Sequence, residues 1–167
     1  MSRSINKGPF VDEKGKVVGE HKGIINYTVG QRDKLGIALG YPVYVYRINK
    51  TTNTVHVGNL NRLYSRGLVA SQMNYVSWEG PYQNLAANVR IRYNSQDAAA
   101  TVTSLENNFA RIEFEKPLKS VTPGQSVVLY RGDVVLAGGI IEEALACAGE
   151  ELGVGRVSSP AWKSQEN

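Results

Sequence analysis

The chain has 167 residues, 42% of them hydrophobic and 20% charged, which suits one ordinary domain or two small ones with real cores and excludes disordered, collagen-like and coiled-coil chains. No apolar run approaches the ~20 residues that cross a bilayer, and the polar start Met1-Ser2-Arg3-Ser4-Ile5-Asn6-Lys7 lacks an apolar signal segment, so a cytoplasmic protein with no membrane contact is expected. One cysteine, Cys147, and two histidines, His21 and His56, exclude an internal disulfide framework and every paired-cysteine zinc or redox motif.

The net charge of +4 is unevenly spread. Residues 1–75 carry eleven Lys/Arg against four Asp/Glu, residues 76–141 six against six, and residues 142–167 two against five. The basic first part reads as meeting an anionic partner, nucleic acid foremost, or else as a solvated lysine-rich surface.

Short β-branched and aromatic runs recur between turn residues while helical periodicity is scarce, so the expected class is all-β. A strand over Lys16–His21 follows the turn Asp12-Glu13-Lys14-Gly15, and Val43–Ile48 pairs with Thr54–Gly58 across Asn49-Lys50-Thr51-Thr52-Asn53. Leu68–Val76 forms another strand, and the break Ser77-Trp78-Glu79-Gly80-Pro81 marks a domain boundary: a first domain over 1–76, a second over 77–143 and a tail over 144–167. The second domain holds strands at Ala86–Tyr93, Ala99–Leu105, Ala110–Phe114, Gln125–Tyr130 and Val134–Ile141, joined by short turns such as Thr122-Pro123-Gly124, as in a small antiparallel barrel or sandwich. The nearly continuous apolar runs Val127–Tyr130 and Val134–Ala137 are expected to pair as a central hairpin covered on both faces. From Glu142 to Leu152 the Ala/Glu/Leu composition allows a short helix, followed by a frayed end.

No GxxxxGK[ST] loop, GxGxxG, HExxH or GxSxG occurs. His21, beside Glu20 and Lys22, has the reference pKa of an acid or base, but adjacent strand residues face opposite ways and cannot orient one another. A hydrogen-bonded structural histidine or an RNA contact is the competing reading. His56 alternates with Val55 and Val57 and reads as a surface residue; Cys147 lies among acidic residues that disfavour a thiolate and reads as inert. In Tyr27-Thr28-Val29-Gly30-Gln31-Arg32-Asp33-Lys34-Leu35-Gly36, amide, guanidinium and ammonium groups stand beside glycines, so Gln31 and Arg32 either contact phosphate and ribose or cap backbone groups of the protein. Along Val89-Arg90-Ile91-Arg92-Tyr93 the two arginines share one face about 7 Å apart, a spacing that suits a phosphate backbone or a plain solvent face. Tyr93 points inward unless the strand ends there, in which case it can stack on a base. Gln125 is an amide presented by the Pro123-Gly124 turn.

Five stretches in order resemble the C-terminal portion of bacterial tRNA-specific 2-thiouridylases: Gly15-Lys16-Val17-Val18-Gly19-Glu20-His21-Lys22-Gly23, Tyr27-Thr28-Val29-Gly30-Gln31-Arg32, Arg90-Ile91-Arg92-Tyr93, Val121–Tyr130 and Gly138-Gly139-Ile140-Ile141. They span about residues 8–143. The resemblance implies a central β-rich domain followed by a six-stranded antiparallel barrel like the second domain of translation elongation factors. It implies tRNA binding by Arg92, Tyr93 and Gln125, whose Arg-Tyr and Pro-Gly-Gln motifs touch tRNA in the family, with His21, Lys22, Gln31, Arg32 and Arg90 as further contacts. For a full-length enzyme it implies an N-terminal adenylating domain with an SGG-type loop and two sulfur-handling cysteines, ATP, a persulfide sulfur donor with its relay proteins, and thiolation of the wobble uridine. This chain has no SGG sequence and one cysteine, so no catalytic residue, metal or cofactor is expected in it. It departs from the family at Asp33-Lys34-Leu35, where a Lys-Gly-Leu run is usual, and at Ala137, which replaces a glycine. The alternatives are a generic RNA-binding or ribosome-associated barrel and a small free-standing enzyme using His21.

Overall fold

The structure, a computed structural model, describes residues 6–76 and 81–147. The chain divides into two compact units after Tyr64.

In the first unit, β1 (Gly8–Val11) and β2 (Val17–His21) form an antiparallel hairpin, as do β3 (Tyr44–Asn49) and β4 (Thr54–Gly58). A parallel β1–β4 pairing joins them into a mixed sheet of order β2-β1-β4-β3. Both turns close on a side chain. Asp12 Oδ1 accepts from the N–H groups of Lys14 (2.9 Å) and Lys16 (2.8 Å), and Asn49 Oδ1 accepts from those of Thr51 (3.0 Å) and Thr52 (3.2 Å), the local bonding for which Asp and Asn favour turns. Phe10, Val45, Val55 and Val57 are fully buried and meet Leu35 and Val43 in one core, each large side chain contributing roughly 1.5–3 kcal/mol of burial.

The second unit is a closed barrel of β5 (Tyr64–Tyr75), β6 (Leu85–Arg90), β7 (Ala98–Ser104), β8 (Ala110–Lys119), β9 (Ser126–Arg131) and β10 (Val134–Ala146), in the order β10-β5-β8-β7-β6-β9. The antiparallel β9–β10 hairpin closes the ring. Its interior holds Leu68, Val89, Val102, Ile112, Leu129 and Ile141, all essentially without solvent contact. Full closure leaves no sheet edge. Among the described residues no helix is long and apolar enough to cross a membrane.

Three expectations change. The division lies after Tyr64 and not at 77–81, because the strand over 68–76 pairs along its length with β10 (Leu68↔Ala144, Ala70↔Ile141, Asn74↔Gly138) and sends Leu68, Ala70 and Met73 into the barrel core. The break at 77–81 thus falls between two barrel strands, with residues 77–80 outside the described residues. The composition after Glu142 continues as strand through Ala146, since pairing with β5 and burial of Leu145 override helix propensity; residues 148–152 of the expected helix, and the tail beyond them, lie outside the described residues. Finally, β9 buries Val127 and Leu129 but leaves Val128 and Tyr130 half-exposed, the alternation of a barrel wall rather than of a strand covered on both faces, while β10 leaves Val134 exposed and buries the neighbours Leu136 and Ala137 where its pairing with β9 shifts register.

Candidate nucleic-acid interface

The Arg90–Tyr93 stretch leaves the barrel where β6 ends. Val89 and Ile91 are buried, and the strand stops at Arg90, so Tyr93 is freed from alternation and stands 94% exposed. The β6–β9 register pairs Asn88 with Tyr130 and Arg90 with Val128. Past Arg90 the chain bends and turns, Ser95 N–H donating to Arg92 O at 3.1 Å, and because β6 and β9 run antiparallel this turn and the start of β9 lie at the same end of the barrel.

Arg92 is fixed by one bond. Its Nη2 donates to the Ser120 carbonyl at 2.6 Å, and Thr122 Oγ1 donates to the same oxygen at 3.1 Å. The turn that follows is clipped to β10, where Gly124 N–H donates to Ile141 O (2.7 Å) and Ile141 N–H to Gln125 O (2.8 Å). Gln125 is exposed and its carboxamide has no partner among the described residues. One end of the barrel therefore presents a positioned guanidinium with four N–H donors left, an aromatic face and a free amide.

Arg90 lies on the outer wall nearby. Its Nε donates to Asp97 Oδ1 at 2.7 Å and its guanidinium stands 5.1 Å from the Tyr130 ring centre; the hydrogen bond and charge of Asp97 push its pKa up. With that carboxylate as neighbour, Arg90 offers a phosphate less than Arg92 does. Ser120 and Asp97 carry no motif of their own in the sequence; each takes its role from a contact that only the fold creates.

In the first unit the structure separates the other candidates. His21 is 0% exposed. Its Nδ1 accepts from Gly23 N–H (3.1 Å), which leaves Nε2 to donate to Asn53 O (2.9 Å), and its ring meets Phe10 and Tyr27 edge-on. Both nitrogens are used and water is excluded, so His21 is a structural histidine, neither an RNA contact nor an acid–base catalyst; sequence reasoning could not see the Asn53 carbonyl 32 positions away. Lys22 is exposed, and its backbone serves the loop through Tyr27 and Asn26. Gln31 caps the backbone: Oε1 accepts from Thr28 N–H (3.1 Å) and Nε2 donates to Asp33 O (3.0 Å), which settles its side chain as a loop brace. Arg32 is exposed and makes no hydrogen bond or ion pair among the described residues. His56 is half-buried, its ring 5.9 Å from that of Tyr46; burial first, then the Arg47 charge, lowers its pKa.

Comparison with known proteins matches both units. Residues 2–59 fit the family model described as tRNA methyl transferase PRC-barrel domain, and residues 65–141 fit the one described as aminomethyltransferase beta-barrel domain. Among curated relatives, the chain is similar to the tRNA-specific 2-thiouridylase MnmA of Acetivibrio thermocellus, 47% identical over 140 residues that make up 84% of this chain and 39% of the relative. The enzyme of the same name from Halothermothrix orenii is 43% identical over 136 residues, 81% of this chain and 38% of the relative, and MnmA 1 of Clostridium tetani 44% over 140 residues, 84% and 39%. The chain thus spans about two-fifths of the length of these relatives.

Proposed function

Because this chain belongs to the tRNA-specific 2-thiouridylase family, of which it carries the two C-terminal β domains, we propose that it is the tRNA-binding portion of such an enzyme. The observation that carries this reading is Tyr93, 94% exposed next to a guanidinium held by the Ser120 carbonyl. A large aromatic kept in water has no stabilising role in the barrel and suits stacking on an unpaired base. Arg92 then holds a phosphate, and Gln125 donates to or accepts from a ribose or base edge. Arg90, paired with Asp97 on the outer wall, is the lesser contact, and Lys22 and Arg32 add positive charge in the first unit.

ATP-dependent thiolation of the wobble uridine belongs, in this reading, to an adenylating domain of the complete cytoplasmic enzyme, with persulfide sulfur delivered by relay proteins. The residues of this chain do not fit those tasks, having one cysteine and no SGG sequence, so the chain alone hydrolyses no ATP and transfers no sulfur. The test is a fluorescence titration with tRNA and with an rRNA fragment of equal length at low and physiological salt. Preferential tRNA binding that weakens steeply with salt, as counterion release requires, supports the reading. Equal affinity for both RNAs, or labelled sulfur entering tRNA with only this chain, ATP and a sulfur donor, overturns it.

A further inference from the structure

The segment between Gln31 and β3 is fixed at both ends. Gly30 N–H donates to Val45 O (2.7 Å), Val45 N–H donates back to Gln31 O (2.9 Å), and the Gln31 carboxamide braces Thr28 and Asp33. Between these clamps every second residue packs: Leu35 is buried, and Ile37 and Leu39 lie half-buried against the Phe10 core. The residues that alternate with them, Gly36, Ala38 and Gly40, are exposed. The outward face of the strip is nearly bare backbone, and from Gly36 to Tyr41 no main-chain N–H meets an acceptor among the described residues. Such donors are satisfied from outside the chain, by water or by a ligand.

A cavity of about 400 Å³ opens on this strip. In chain order its lining begins with Arg32 and Lys34, both exposed and neither in a hydrogen bond or ion pair among the described residues, and passes along the strip to Tyr41, 47% exposed. Asp33 is the one carboxylate in the lining. Solvated cations on a loop are common by themselves. Here they adjoin open amide donors, side chains small enough for close approach, and an exposed ring, an order that matches phosphate, sugar–phosphate backbone and base.

We propose that this loop is a second RNA contact, in which Arg32 and Lys34 hold phosphates, the N–H groups of the Gly36–Gly40 strip donate to sugar–phosphate oxygens, and Tyr41 stacks on an unpaired base. The inference rests on the RNA-binding reading above and assigns the first unit its own part in it. Asp33 opposes the phosphates and trims the affinity.

The test uses the full chain in anisotropy titrations with tRNA over a salt series, comparing the parent, Arg32→Gln/Lys34→Gln, Asp33→Asn, Tyr41→Leu, Tyr41→Phe and, on the other unit, Arg92→Ala. Melting curves are expected to match the parent for the charge variants of the loop, since those side chains make no hydrogen bond or ion pair among the described residues. Removing both cations should flatten the slope of log K against log salt by about 1.5, at roughly 0.7–0.9 per phosphate contact. Asp33→Asn should bind more tightly. Tyr41→Leu should bind about tenfold more weakly at unchanged slope while Tyr41→Phe binds like the parent. If Arg92→Ala weakens binding but the double variant keeps the parental slope and Tyr41→Leu the parental affinity, the loop contact is wrong and the barrel site stands. If the parent itself does not bind tRNA, the RNA-binding reading fails and this inference with it.

Discussion

The Arg92 guanidinium donates to the main-chain carbonyl of Ser120, a buried residue held at φ 57° where β8 ends. A serine in the left-handed region is uncommon and costs free energy. Here it aims the carbonyl at two donors, Arg92 Nη2 and Thr122 Oγ1. The bond joins the end of β6 to the turn that presents Gln125, so the proposed site is held in shape before RNA arrives.

Arg92→Ala is therefore expected to act twice. It should weaken tRNA binding by about 1–3 kcal/mol, the scale of a lost charge-assisted hydrogen bond, and lower stability by about 1 kcal/mol because Ser120 loses a partner. The sequence alone suggests no stability effect, since it shows Arg92 as a plain outward guanidinium. Tyr93→Ala is the contrasting variant: it should stay within ~0.5 kcal/mol of the parent in stability and still bind RNA more weakly. Calorimetric melts beside anisotropy titrations separate the two effects.

His21→Ala should destabilise the first unit by about 2–4 kcal/mol, through a cavity between Phe10 and Tyr27 and two unpaired groups, Gly23 N–H and Asn53 O. Urea unfolding measures it. RNA affinity per folded molecule should be unchanged, because the side chain never reaches the surface.

Gly139→Ala should cost more than about 2 kcal/mol. An added Cβ there would lie 2.8 Å from Ser71 O and 2.5 Å from Met73 Sδ, opposite a bulge in β5 where Gln72 takes φ 50°. The sulfur can swing aside; the main-chain oxygen cannot. A drop in melting temperature of several degrees is the expected result.

The folded state favours neutral His56, because burial and the Arg47 charge oppose protonation. Below the ordinary value of 6.5 the unfolded chain binds more protons than the folded one, so this contribution is full above that pH and is lost as pH falls through it. Denaturant titrations of His56→Gln against the parent should show a shallower decline in stability on the acid side for the variant.

What the sequence disclosed is what short-range chemistry decides. The Asp12 and Asn49 turns, the two hairpins they close and the alternation of the barrel strands follow from residues a few positions apart. Pairings between distant strands carry no such mark. Leu68 meets Ala144 across 76 positions, so the strand over 68–76 reads as well for one unit as for the other, and the Ala/Glu pattern after Ile141 hides a strand partner that only the closed ring supplies. The site divides along the same line. Arg92, Tyr93 and Gln125 are legible as exposed chemistry beside turns, whereas Ser120 and the burial of His21 depend on contacts 28 and 32 positions away.

The pairing of Ser65 with Ala146 also governs how the barrel can be handled as a part. The polypeptide enters and leaves the ring through neighbouring rungs of a single strand pair, β5 against β10. A host protein therefore needs only one surface loop, with its two ends a strand spacing apart, roughly 5 Å, to receive residues 65–146 as an insert. The same adjacency permits a circular permutant in which a short linker fuses these termini and new ends open in an exposed turn, such as the one between Arg131 and Val134.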